Sequence, residues 1–63
     1  MIDYRIILHP ANQHGWGVSL MKLVDGEIET GFTLISLDSR EKQLRYAEEL
    51  HQMTNWAWED WFV

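Results

Sequence analysis

The chain has 63 residues, no cysteine, and ten acidic against five basic residues, for a net charge of −5. That length allows one domain at most. The missing cysteines exclude disulfides and thiolate metal sites, and the acidic balance repels a polyanion such as DNA, whose affinity comes mostly from Lys and Arg. With 46% hydrophobic residues and four Trp, the chain is also too apolar to be a disordered acidic tail.

The first expected strand runs from about Asp3 to His9. Tyr4, Ile6 and Leu8 alternate there with Arg5, Ile7 and His9, and Pro10, which cannot donate to a ladder, marks the exit. Ala11 to Gly15 reads as a connecting loop. A second strand, from about Trp16 to Val24, carries Trp16, Val18 and Leu20 on one face and Ser19, Met21 and Leu23 on the other. Asp25-Gly26 is a hairpin signal, because a type I′ turn needs positive φ at both central residues. The third strand, near Glu27 to Leu37, alternates Ile28, Thr30, Phe32 and Leu34 against Glu29, Gly31, Thr33 and Ile35. Gly31 marks either a bulge or a close approach.

A helix is expected from about Ser39 to Trp61, with Asp38 as its cap and Glu41 completing a capping box. Thr54-Asn55 reads as a break, and Glu59-Asp60 sits badly at the negative end of a helix dipole. Against a break stands the periodicity. At about 100° per residue, Leu44, Ala47, Leu50, Thr54, Trp58 and Trp61 share one side with Phe62. Glu48, Glu49, Glu59 and Asp60 share the other, and Trp56 alone is misplaced. One continuous helix follows, and the expected fold is α+β: a three-stranded antiparallel meander packed against one long amphipathic C-terminal helix, as a single domain over 1–63.

That geometry points outward. A helix of roughly 23 residues is about 35 Å long, whereas a strand of this sheet spans about 20–30 Å and three strands are only about 15 Å wide. The overrun would present Trp56, Trp58, Trp61 and Phe62, with Glu59 and Asp60 as a polar rim. Trp is enriched at interface hot spots, and large aromatics bury 150–250 Å² each when packed. The alternative for Trp58 and Trp61 is that a bent helix lets them complete the monomer's own core. A second apolar surface is expected on the far face of the sheet, through Ile7 and Ile35, where two copies could pair.

Chemistry finds little support in the residues. His9, His14 and His51 show no metal-ligand spacing, so no metal or other cofactor is expected, and His51 falls on the apolar arc as a boundary residue. Ser19, Ser36 and Ser39 lack a nucleophile motif, and Glu48-Glu49 and Glu59-Asp60 read as solvated charges, with Arg45 placed to pair Glu41 or Glu49. Gly15-Trp16-Gly17 lacks the third glycine of a phosphate loop. No enzyme is expected. Arg5 and Lys22 are too few on the strands to follow a nucleic-acid backbone directly. Gly15-Trp16-Gly17-Val18 at the start of the second strand, with the β-β-β-α order, resembles the small β-β-β-α part of HicB-like antitoxins. The likeness covers those four residues and the element order.

The function expected is therefore a non-enzymatic protein-binding module, an inhibitor, adaptor or subunit, docking through the Trp-rich end of the helix. A core this small supplies about 3–5 kcal/mol and commonly leans on a second subunit, so a homodimer is expected as well. The alternative is a nucleic-acid mimic, in which Glu41, Glu48 and Glu59 imitate phosphates to block a nucleic-acid-binding protein. No basic segment followed by an apolar one opens the chain, and no apolar run reaches bilayer-spanning length, so a cytoplasmic protein without membrane contact is expected.

Overall fold

The computed structural model describes residues 1–61. Five elements follow one another: β1 (Ile2–Leu8), β2 (Trp16–Val24), β3 (Glu27–Leu37), α1 (Arg40–Thr54) and β4 (Trp58–Asp60). They form an α+β fold with one four-stranded sheet in the order β3-β2-β1-β4. β1 pairs antiparallel with β2, and β2 with β3, while β4 lies parallel to β1. The sheet is thus mixed and four-stranded, where the sequence reading expected three antiparallel strands. No helix is long and apolar enough to cross a membrane among the described residues.

The meander follows its local chemistry. Asp25 and Gly26 take φ of 52° and 85°, as a two-residue hairpin of the primed kind requires. Gly15 takes φ of 109°, and a Cβ there would lie 2.4 Å from the Leu37 carbonyl oxygen, so only glycine lets the loop after β1 pass this close to β3. β3 carries two irregularities. Val18 pairs Ile35 while Ser19 pairs Thr33, and Lys22 pairs Thr30 while Leu23 pairs Ile28. Leu34 and Glu29 are the extra residues, so the bulges flank Gly31 and do not fall on it.

α1 ends well short of the expected Trp61. Asn55 adopts the left-handed conformation at φ 65°, and its N–H donates to the His51 carbonyl. The Thr54 hydroxyl donates back to the Leu50 carbonyl at 2.7 Å and accepts from the Trp56 N–H at 3.1 Å. His51 Nδ1 closes the turn onto the Trp56 carbonyl at 2.6 Å. The first of these contacts satisfies the His51 carbonyl, one of the last four of the helix, and the others fix the turn that follows it. The N-cap also differs from expectation. Ser39, not Asp38, accepts the Lys42 N–H, and Asp38 instead pairs with the Lys42 ammonium at 3.0 Å. Because an L-residue in the left-handed region costs about 1–2 kcal/mol, Asn55→Ala is expected to destabilise by about 1 kcal/mol in a urea melt, with Asn55→Gly within a few tenths of wild type.

The core lies between α1 and one face of the sheet. Ile6, Leu8, Val18 and Ala47 are fully buried there and Leu20 nearly so, with Leu34, Leu37, Tyr46, Leu50 and Trp56 packed around them. Ala47 has no bulk to hold the helix away from the strands. Gln43 is fully buried beside this core. Its amide donates to the carbonyls of His9 (2.8 Å) and Gly17 (2.9 Å), and its oxygen accepts from Arg40 at 2.6 Å. The side chain thereby serves two strand-end carbonyls at once, of which Gly17's also accepts the His9 N–H at 3.0 Å.

Candidate functional site

The aromatic cluster expected at a helix tip is distributed over a turn and a strand. Trp56 follows the helix and turns inward, packing against the core with its ring 4.8 Å from that of Tyr4. Trp58, Glu59 and Asp60 form β4, beside Ile6, Ile7 and Leu8 respectively. Strand alternation sends Trp58 and Asp60 toward the α1 side and Glu59 toward the other. Trp61 donates its backbone N–H to the Leu8 carbonyl at 2.8 Å and its indole N–H to Glu59 at 3.2 Å. Phe62 lies outside the described residues. No rod overruns its platform, and the proposed tip does not exist as a unit. The reason is the stop at Asn55: a segment folded back as an edge strand buries through alternate residues, not through a helical stripe.

The two acids assigned to a polar rim hold β4 in place. Asp60 receives a two-pronged contact from the Arg40 guanidinium at 2.9 and 2.8 Å, and Glu59 pairs with Arg5 at 3.1 Å. Arg40 also lies over the Trp16 ring, 5.9 Å from its centroid. The first residue of α1 is therefore tied at once to β4 and to the start of β2.

What the fold leaves open is the face of the sheet opposite α1. Arg5 and Ile7 of β1 point there with Ser19, Met21 and Leu23 of β2, by alternation from the core residues. Ile7 is 1% exposed and Leu23 7%, although neither belongs to the helix-side core. Neighbours on this face cover them, and the result is a second, thinner apolar layer. The surface above it is an open trough of about 260 Å³ lined by Ile7, Ser19, Met21, Ile28, Gly31 and Trp61, among others. Its two sides stand out into solvent, Trp61 being 45% exposed and Ile28 64%. Gly31, paired with Met21, leaves a gap in the β3 side. Ile35, expected on this face, lies instead opposite core residue Val18, because the bulge at Leu34 shifts its register.

One end of the trough is polar. His9 Nε2 and the Ser19 hydroxyl share a hydrogen bond at 2.8 Å, and the Ser19 hydroxyl reaches Thr33 at 3.5 Å. Trp61 meets the His9 ring edge-on at 5.9 Å. A serine beside a histidine is half of a nucleophile-and-base arrangement. Such chemistry also needs a group orienting the second ring nitrogen and donors for an oxyanion; among the described residues, no carboxylate hydrogen-bonds His9. Nor does any group of three His, Cys, Asp or Glu stand close enough to hold a metal ion among the described residues.

Charge is distributed unevenly. Arg5 is the only Lys or Arg on the open face among the described residues, since Lys22 pairs with Tyr4 on the other side and Arg40, Lys42 and Arg45 belong to α1. Asp3 shares that face with Arg5 by alternation and has no ion-pair partner among the described residues. The acidic helix face of the mimic reading is divided: Glu59 lies in β4, and Glu41 is paired with Arg45 at 3.1 Å.

No protein-family model matches the chain, and searches of curated proteins and of solved structures also return no match. The short likeness of Gly15 to Val18 to HicB-like antitoxins therefore carries no argument here.

Proposed function

We propose that the chain is a small non-enzymatic protein-binding module whose docking surface is the helix-free face of the sheet, with Trp61 as its principal anchor. The observation that carries this reading is the trough itself. Buried Ile7 floors it together with Ser19 and Met21, and it is bordered by the exposed side chains of Trp61 and Ile28. A small domain gains stability by covering such a face, and Trp is the residue whose truncation most often costs an interface dearly. The trough is too shallow and open to enclose a drug-sized ligand on most sides, which favours a macromolecular surface. Trp58 stays available on the opposite side of β4 and is 36% exposed. Glu59 and Asp60 act in this reading by holding β4, and through it Trp61, in position. Pairing of two copies through the same face is the self-associating form of the proposal. The absence of cysteine suits a reducing, cytoplasmic setting.

The test is affinity capture from the source cells with tagged wild type, Trp61→Ala, Met21→Glu and a control change on the exposed side of α1, Gln52→Ala. A protein retained by wild type and the control, lost with both face variants and cross-linked through a photoreactive residue at position 21, is the expected result. Equal retention by all four chains would refute docking through this face.

A further inference from the structure

We infer that the occupant of the open face is an amphipathic α-helix with basic flanks, supplied by another protein; this rests on the docking-face reading above. The first argument is width. Trp61 follows β4 and Ile28 lies in β3, at the two ends of the order β3-β2-β1-β4. Three interstrand spacings separate those ends, about 14 Å. The two walls are offset along the strands, Trp61 standing beside Leu8 and Ile28 opposite Leu23. The Cα cylinder of a helix is only about 5 Å across, so a helix lies between them with its side chains interleaved with theirs and Ile7, Ser19 and Met21 as its floor. Length agrees: the seven residues of β1 span about 23 Å, which four turns of helix match. Chain pairing at the edge of the sheet is less suitable, because β4 is three residues long and β3 is interrupted by two bulges.

The second argument is charge. The single cation of the face, Arg5, is committed to Glu59, while Asp3 on the same face and Glu27 at the hairpin end have no ion-pair partner among the described residues. An incoming helix therefore meets apolar groups in the middle and uncompensated carboxylates at the rim. Lys or Arg flanking its apolar stripe complements that pattern, and a second copy of this chain, at −5, does not. The third argument is the gap at Gly31. A Cβ there would meet only the Leu20 carbonyl oxygen, at 3.4 Å, so a side chain of the visiting helix can enter beside Met21.

The experiment uses the full chain, ¹⁵N-labelled, and three synthetic peptides of about 14 residues. One carries Leu at helical i, i+3, i+4 spacing with Lys elsewhere; the second is its scrambled isomer; the third replaces Lys by Glu. The expected result is binding of the first alone, with amide shifts concentrated at Ile7, Ser19, Met21, Thr33 and Trp61. Gly31→Val should weaken it at least tenfold. Valine suits a strand position, so this variant tests the trough without removing a contact, and an unchanged melting temperature will show that the fold is intact. Equal binding of the scrambled peptide, shifts confined to α1, or indifference to Gly31→Val would overturn the inference. So would a dimer in sedimentation that Gly31→Val dissociates. If Trp61→Ala loses the cellular partner while no peptide binds, the helical occupant falls and protein docking stands; if both experiments fail, both fall.

Discussion

Gln43→Leu is expected to lower the stability of the domain by about 2–3 kcal/mol, since Gln43 is fully buried. Leucine nearly matches the volume and removes the amide that serves two carbonyls. Gly17 keeps the His9 N–H as a donor at 3.0 Å, but the part-buried His9 carbonyl loses its Gln43 partner, where a fully buried unsatisfied group would cost about 1–3 kcal/mol. Arg40 also loses its 2.6 Å acceptor, which loosens its grip on Asp60 and hence on β4. For a domain of this size, each kcal/mol moves the melting temperature by about 4–8 °C, so a calorimetric midpoint about 10–20 °C lower is the measurement. Gln43→Glu should be worse at neutral pH, because an ionised carboxylate only accepts and would face two carbonyl oxygens. It should recover partly on acidification, when the carboxyl can donate again. A Gln43→Leu protein that melts within 3 °C of wild type would show that the buried amide is not what joins the helix to the strand ends.

The second large effect separates the tryptophans. Trp56→Ala is expected to cost about 3 kcal/mol, the usual price of deleting a large aromatic from a packed site; the ring lies against Tyr4 and the helix-side core. Trp61→Ala should cost about 1 kcal/mol or less, since the ring is 45% exposed and its loss leaves the Leu8 backbone contact in place. Urea melts of the two variants check this directly. A continuous helix to residue 61 would reverse the order, because Trp61 would then share the stripe with Leu50 while Trp56 faced water. A larger loss for Trp61 than for Trp56 would therefore overturn the placement of both rings.

Residues 55–61 fit a helix by periodicity and form a turn and a strand in the structure, for a physical reason. Over a span of seven residues, a helical wheel and a strand alternation can both sort the same apolar residues plausibly. Two local signals argued for the break, Thr54-Asn55 and the two acids at the would-be C-terminus, and Trp56 stood out of phase. Each is explained by the structure, with Asn55 in the left-handed region, Glu59 and Asp60 paired to Arg5 and Arg40, and Trp56 packed against the core. Phase agreement over the remaining residues outweighed them because nothing in the wheel registers that a neighbouring strand is free. The parallel place beside β1 is such an opportunity. It is offered by residues some fifty positions earlier in the chain, and only Ile6-Ile7-Leu8, an unbroken apolar run of the kind found in strands buried on both faces, hinted at it.

The amino-acid sequence by itself determined the meander, both of its strand pairings in outline, the Asp25-Gly26 hairpin and the start of the helix within a residue or two. These depend on alternation, turn geometry and capping, which act over a few residues and leave their mark on composition. Tertiary structure alone decided the fourth strand, the burial of Gln43, the register shifts in β3 and the face on which Trp61 stands. Each of these is settled by contacts between segments far apart in the chain, where an unpaired strand edge or an unsatisfied carbonyl selects its partner by position in space.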